Sequence, residues 1–502
     1  MPKSASLHNA QCKSRVKPLT AASILALLAG CAVGPNFKRP AAPEVRDYVP
    51  TPLTATTSAP NTVAGDSQRF AAGADIAADW WTLFHSPPLN ELIDRSLSGN
   101  HDLKAAQAAL KVARENMLAQ RGAYFPSVSA NFDATRQKQS EQISPALNAN
   151  TFLYNLFTPQ VSVSYTPDVF GLNRRTVESL AAQEQEARFQ MIATYTTLTS
   201  NVVVAAIQVG ATQTQIEATH ELIDSADKTL KILRYQLDKG YAGGLDVAAV
   251  EGQLAQFAAT LPPLIKQEAQ LRDQLAVLSG RFPSQAPAVN FDLATLQLPQ
   301  DLPVSLPSTL VSQRPDVLQA EANLHDASAK IGIAIANRLP NIVLTANAGS
   351  SAAAMSQLFT SGTGFWGIGG SVTAPIFQGG QLLHQERAAK AAYEQAAEQY
   401  RSTVLTAFQN VADTLTALEQ DAEAVKAAAN AADSAKVTLD LTQRQLQSGY
   451  AGYLALLSAQ QAYQQARISL IQAQANRFAD TAALFQALGG GWWHRTEIAK
   501  QP

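Results

Sequence analysis

The residues best placed to do chemistry stand near the start of the chain, in Leu28-Ala29-Gly30-Cys31. Small residues ahead of a cysteine fit a signal peptidase, and the Cys31 thiol can then take up lipid, so the tetrapeptide reads as a bacterial lipobox. Lys3, Lys13, Arg15 and Lys17 precede the apolar stretch Leu19–Gly30. That is a basic region followed by a hydrophobic run too short to be a stable membrane span. The expected mature chain begins at lipidated Cys31, with Cys12 removed alongside the signal. Ala32 follows the cysteine where Asp usually retains lipoproteins in the inner membrane of Gram-negative bacteria, which implies the outer membrane. The alternative is an ordinary secretory signal with an incidental cysteine.

Other chemical signals fail on context. Gly362–Gly367 spells GxGxxG, but a dinucleotide loop needs a strand before it and a helix after it, and this one leads into a strand. Seven scattered histidines form no HExxH pair, and His101, His325 and His384 read as polar positions in or beside helices. With both cysteines among the first 31 residues, the body has no disulfide and no Cys-based metal site. No acid/base or nucleophile constellation appears, so neither an enzyme, a metal nor a cofactor is expected. Net charge is −2 and no stretch is strongly basic, which argues against nucleic acid. The low charged fraction of 16%, with Ala, Gln, Leu and Val dominant, suits long helices.

The elements repeat. Gly-Tyr-Ala-Gly occurs at Gly240–Gly243 and again at Gly449–Gly452, 209 positions later. Asp102–Pro126 matches Asp316–Pro340, and "DVFG" at Asp168–Gly171 answers "PIFQ" at Pro375–Gln378. The chain is a tandem duplication. We divide it into a signal (1–30), a lipidated extended tether (31–78), a first repeat (79–290), a second repeat (291–488) and a tail (489–502). Period-two alternation predicts strands at about 125–136 and 158–168, and again at about 341–349 and 366–376. Strands of about ten residues suit a membrane barrel, apolar to lipid and polar to a lumen; a small soluble sheet has the same period.

Long helices follow each strand pair, at 172–239 and 381–447, each about 100 Å at 1.5 Å per residue. Val404, Phe408, Val411, Leu415, Leu418, Ala422 and Val425 step by four and three as in a coiled coil. Shorter helices are expected at 102–121, 245–280, 315–338 and 453–488, with Pro262-Pro263 breaking or kinking the second. Two short helices end to end could line one long helix. Each Gly-Tyr-Ala-Gly turn ends a long helix and starts a return helix, because glycine readily takes the left-handed cap. Trp492-Trp493 is expected to pack locally.

Four strands cannot close a membrane barrel, since open edges in lipid leave backbone groups unsatisfied. Strands must be shared between chains, and three copies would supply twelve, with room for a channel. The fold class is therefore α+β: an all-antiparallel four-strand contribution to a trimeric transmembrane β-barrel, plus a long periplasmic α-helical coiled-coil barrel, built as an internal tandem repeat.

The stretches "CAVGPNFKRP" at Cys31, "DWWTLFHSPPLNELI" from Asp79, "LPSTLVSQRPDVLQAEANL" from Leu306, "IGIAIANRLPNIVL", "APIFQGGQ" and "GYLALLSAQQAY" resemble the TolC-like outer-membrane efflux family, in particular its NodT-type lipoprotein branch. The resemblance covers nearly all of the mature chain. It implies a homotrimeric multidrug-export conduit whose periplasmic end docks a membrane-fusion adaptor protein and an inner-membrane pump of the resistance-nodulation-division type. It also implies a resting gate where the inner hairpins converge, with Tyr453 and Leu454 forming an apolar constriction. Many relatives carry Asp where this chain has Ser458, so an acidic ring is in question there; Asp246, after the first turn, is the nearest acidic candidate. The turns Gly240, Tyr241, Ala242, Gly243 and Gly449, Tyr450, Ala451, Gly452 resemble the adaptor contact. Ordinary packing at a helix start is the plainer reading of Tyr453, Leu454 and Leu457. A protein-secretion or metal-ion conduit, or a non-conducting structural lipoprotein, stands as an alternative function.

Overall fold

The computed structural model describes residues 32–51, 53–138, 153–286 and 291–495. The signal segment, Cys31 and residues 496–502 lie outside them. The chain forms two compact units. One holds the residues up to Lys38, Arg114–Ala182 and His325–Gln395; the other holds Arg39–Ala113, Gln183–Leu324 and Ala396 onward.

The first unit is built on β2 (Ser127–Lys138), β3 (Leu153–Tyr165), β5 (Asn341–Ser350) and β6 (Gly364–Thr373). They form one antiparallel sheet in the order β2-β3-β5-β6. The register carries the alternation across all four strands. Val128 pairs with Val163, Val163 with Ala346 and Ala346 with Ile368; one residue along, Ser129, Ser162, Asn347 and Gly367 form the next row. Across these rows one face is therefore apolar and the other polar, and a one-residue slip would mix them. The apolar face is bare: Trp366 is 77% and Ile368 80% exposed. Gly364 and Gly367 of the GxGxxG stretch lie in β6, and a Cβ on Gly367 would stand 2.8 Å from Asn347 Oδ1.

β3 starts at Leu153, before the expected 158, and runs through Pro159. Phe157 donates its N–H towards Ala352, so Pro159, two residues on, turns its missing donor to that same side, where the ladder to β5 has already stopped at Gln160. Proline is tolerated where no ladder bond is lost.

The long helices are continuous: α3 (Leu172–Asp238) and α7 (Gln381–Gln447) are 67 residues each. One window of α3 is apolar enough to cross a bilayer, and 67% of it is buried within the protein. Gly210, the single glycine of α3, admits the Phe291 carbonyl, 2.8 Å from where a Cβ would stand. The return helices are α4 (Gly244–Leu278) and α8 (Tyr453–Ala487). The expected seam of α7 is buried, with Phe408 half-buried against Tyr48. α4 runs through Pro262 and Pro263, so of the expected break or kink the break does not occur. Packing of its flanks on α3, where Phe257 is buried with Leu222 and Ala226, holds the helix across the lost N–H groups.

The second unit also contains α1 (Pro87–Gly99), α5 (Pro307–Gln313) and the starts of α2 (His101–Arg121) and α6 (Pro315–Ala336). The short helices meet end to end in both repeats. Asn100 donates from Nδ2 to Leu278 O at 3.1 Å and caps Leu103 N at 2.9 Å, joining α4 to α2. Arg314 donates to Ala487 O at 2.8 Å and pairs with Asp316, joining α8 to α6. Around these joints lies an aromatic core in which Trp80 stacks on Phe485 at 5.0 Å. Trp492 donates to Gln313 O at 2.7 Å, while Arg495 stands over the Trp81 and Tyr195 rings. The C-terminal Trp pair thus packs on residues far away in sequence.

Residues 32–78 differ most from expectation, for much of this stretch is bound down. β1 (Arg69–Ala72) pairs in parallel with β4 (Asp301–Val304), and neither strand was anticipated. Gln68 donates to Pro299 O and Thr481 Oγ1. Fully buried Arg477 donates to Ala64 O and Asp66 O at 2.6 Å each and to Thr56 Oγ1 at 2.9 Å. A buried guanidinium needs acceptors, and here two backbone carbonyls and a hydroxyl of the early chain serve its terminal nitrogens.

Candidate functional site at the hairpin tips

The two Gly-Tyr-Ala-Gly turns are built identically. Gly240 and Gly449 have φ of +76° and +77°, a conformation that L side chains resist. Tyr241 N–H donates to Gln236 O and Tyr450 N–H to Gln445 O, both at 2.8 Å, as in a Schellman cap. Gly243 and Gly452 are extended and start the return helices. Asp246 accepts from Gly243 N–H at 3.4 Å, whereas Ala455 occupies the matching place in the second turn. Tyr241, Leu245, Tyr450 and Leu454 are 72–88% exposed, while Ala242 packs inward on the Leu233 cluster.

The structure separates the two gate residues that the sequence put together. Tyr453 is half-buried beside Leu233, Val250 and Leu457, and its hydroxyl donates to Gln236 Oε1 on α3 at 2.9 Å. Burial raises its pKa. Leu454, about 100° further round the helix, points away and is bare. Ser458 spends its hydroxyl on Leu454 O at 3.0 Å, a bond within α8 that carries no charge.

Three links absent from the sequence reading join α8 to α3. Tyr453 meets Gln236, Gln460 donates to Ser225 Oγ at 3.4 Å, and Arg467 pairs with Glu221. Tyr453, Gln460 and Arg467 step by seven, and a heptad of polar residues on a packed helix was the available signal. Deeper along α8, Asp480 faces Asp421 of α7. Burial, then hydrogen bonding to Asp480, pushes the Asp421 carboxyl up to about 7. Asp421 Oδ2 has no donor among the described residues, so the pair is bonded only when one carboxyl holds a proton. Burial also lowers Arg477 beside them to about 10.

Cys31 lies outside the described residues, but the chain directly after it is held firmly. Ala32 lies against Gly171, and Val33 N–H donates to Phe170 O at 3.1 Å. Buried Arg175 donates to Val33 O, Gly34 O and Asn36 Oδ1 and pairs with Glu178. Glu178 in turn meets His325, whose ring stacks on Phe37 at 4.3 Å.

An amphipathic antiparallel sheet with open edges, joined to two long helical hairpins, defines a subunit of an outer-membrane channel. The chain belongs to the outer membrane efflux protein family, whose sequence model matches residues 92–281 and 306–490. It is 30% identical over 487 residues to the probable efflux pump outer membrane protein TtgC of Pseudomonas putida, covering 95% of this chain and 96% of that one. The structure of the outer-membrane channel OprN matches with a TM-score of 0.80 and 25% identity, over 92% of this chain and 100% of that one. The open state of the Neisseria gonorrhoeae MtrE outer membrane channel matches with a TM-score of 0.77 and 26% identity, over 92% and 98%. The protein is an outer-membrane efflux component of a Gram-negative bacterium.

Proposed function

We propose that three copies of this chain form one passive duct, gated at the inner hairpin tips and anchored by lipid on Cys31. It would take small toxic compounds from an inner-membrane pump through a periplasmic adaptor seated on the Gly240–Gly243 and Gly449–Gly452 turns. The carrying observation is the sheet: an apolar face bare in water, a polar face opposite, and β2 and β6 both left as edges. Such edges are satisfied in lipid only by neighbouring copies. We assign no catalysis to the chain, whose relatives are named as efflux pump outer membrane proteins.

Gating follows from the tip geometry. Leu454 is the apolar side chain free to line a constriction, and a narrow apolar ring excludes ions by dewetting. The Tyr453–Gln236 bond ties the inner hairpin to the outer one and holds the tip in one arrangement. Single-channel conductance in planar bilayers tests both roles. Leu454→Ser should raise conductance by wetting the ring. Tyr453→Phe, losing a bond worth about 1 kcal/mol, should shift opening by about fivefold per subunit. A wild-type pore as open as both variants would move the gate elsewhere, and no conductance from a folded oligomer would refute the duct.

A further inference from the structure

The alternation of β2 holds to its end but its chemistry changes there. Val128, Ala130, Phe132 and Ala134 occupy the apolar face; the next two residues on that same face are Arg136 and Lys138. Both are exposed, and neither has an ion-pair partner among the described residues. Opposite them on β3 stand Asn155 and Leu153, and no strand residue of this face is acidic. Cations on a lipid-facing strand are costly near the bilayer midplane and nearly free at its interfaces.

The strand's length places them at an interface. From Val128 to Lys138 the chain rises about 34 Å, or about 26 Å along the membrane normal at a tilt of about 40°. The apolar band of such barrels is about 25 Å tall, so Lys138 reaches the headgroup level and Arg136 can snorkel to it. The Ser127 end of β2 follows the helix that ends at Arg121, and β3 leads into α3 at Leu172. The Lys138 end is therefore the end away from the periplasm, at the outer leaflet.

We infer that Arg136 and Lys138 form a binding site for the phosphate groups of an anionic outer-leaflet lipid. The inference rests on the proposed barrel, with its apolar face toward lipid. Two cations, spaced two residues apart on one face, lie about 7 Å apart along the strand, and their long flexible side chains let both reach phosphates of one headgroup. The apolar residues below them would pack against its acyl chains. The guanidinium supplies a bidentate phosphate contact and the ammonium a point charge.

The full lipidated protein in detergent, incubated with bisphosphorylated lipid A and washed, tests this by mass spectrometry of the retained lipid. Wild type should retain on the order of tenfold more than the Arg136→Gln/Lys138→Gln variant. Arg136→Lys, which keeps the charge but loses the bidentate contact, should retain an amount between wild type and the double variant, and lipid A stripped of phosphate should be retained no better than by the double variant. Competition by millimolar inorganic phosphate, without any acyl chain, would show a free-anion site and overturn the lipid assignment. Planar-bilayer conductance separates the two layers of the argument. Wild type that inserts and conducts, yet retains no more lipid A than the double variant, overturns the lipid site alone; wild type that neither inserts nor conducts overturns the barrel as well.

Discussion

Asp421 and Asp480 face each other across α7 and α8, and their shared proton makes stability depend on pH. The Asp421 carboxyl, pushed up to about 7 in the folded chain, starts from 3.8. Between those values the folded state binds the extra proton, so stability falls as pH rises from about 4 to about 7. Asp421→Asn keeps the shape and removes the charge; its Tm should exceed wild type at pH 8 and lose that slope. Parallel Tm curves for the two proteins would refute the shared proton. Beside the pair, Arg477→Met strands the carbonyls of Ala64 and Asp66 and the Thr56 hydroxyl. It should destabilise the fold by about 3–5 kcal/mol and open residues 55–68 to limited proteolysis. An uncut segment would show that β1 alone holds it.

Hairpin behaviour is decided by where each turn glycine sits. Gly449→Ala puts a Cβ on a residue at φ +77° and should cost about 1–2 kcal/mol, seen as faster hydrogen exchange at the end of α7. Gly452→Ala, at an extended position with open space around it, should leave exchange nearly unchanged. Equal effects of both would mean that the cap does not hold the turn. The uninterrupted α4 carries a different expectation. Pro262→Ala restores a helical N–H and removes a ring clash, so exchange around Ala258 should slow. Faster exchange would mean that the proline fits a site which alanine does not.

Closure of the sheet belongs to the whole molecule. Among the described residues β2 and β6 each present an unpaired edge, and the proposed ring of copies would satisfy both by pairing one protomer's β2 with its neighbour's β6. A cysteine scan along β2 combined with a cysteine on β6 should give oxidised ladders that end at three copies on a denaturing gel. Two copies as the limit would leave an interior filled by side chains and refute the twelve-strand duct.

The four sheet strands, the long and return helices, the duplication and both faces of the sheet were legible in the sequence, because each rests on a local pattern: period two for the strands, near three and a half for the α7 seam, and glycine for the caps. Val128 and Ser129 announce their faces without knowing their partners. What only the tertiary structure decided are contacts whose two ends lie hundreds of residues apart. Nothing in the pattern around Arg477 marks it, yet Ala64 and Asp66 supply its acceptors. The early segment looked like a tether because a four-residue strand such as β1 has no period long enough to see. Tyr453 and Leu454 looked alike as neighbours, and only the approach of α3 turned one into a latch and left the other bare. Local patterning reveals which way a residue faces; which atom it meets there depends on the packing of distant elements.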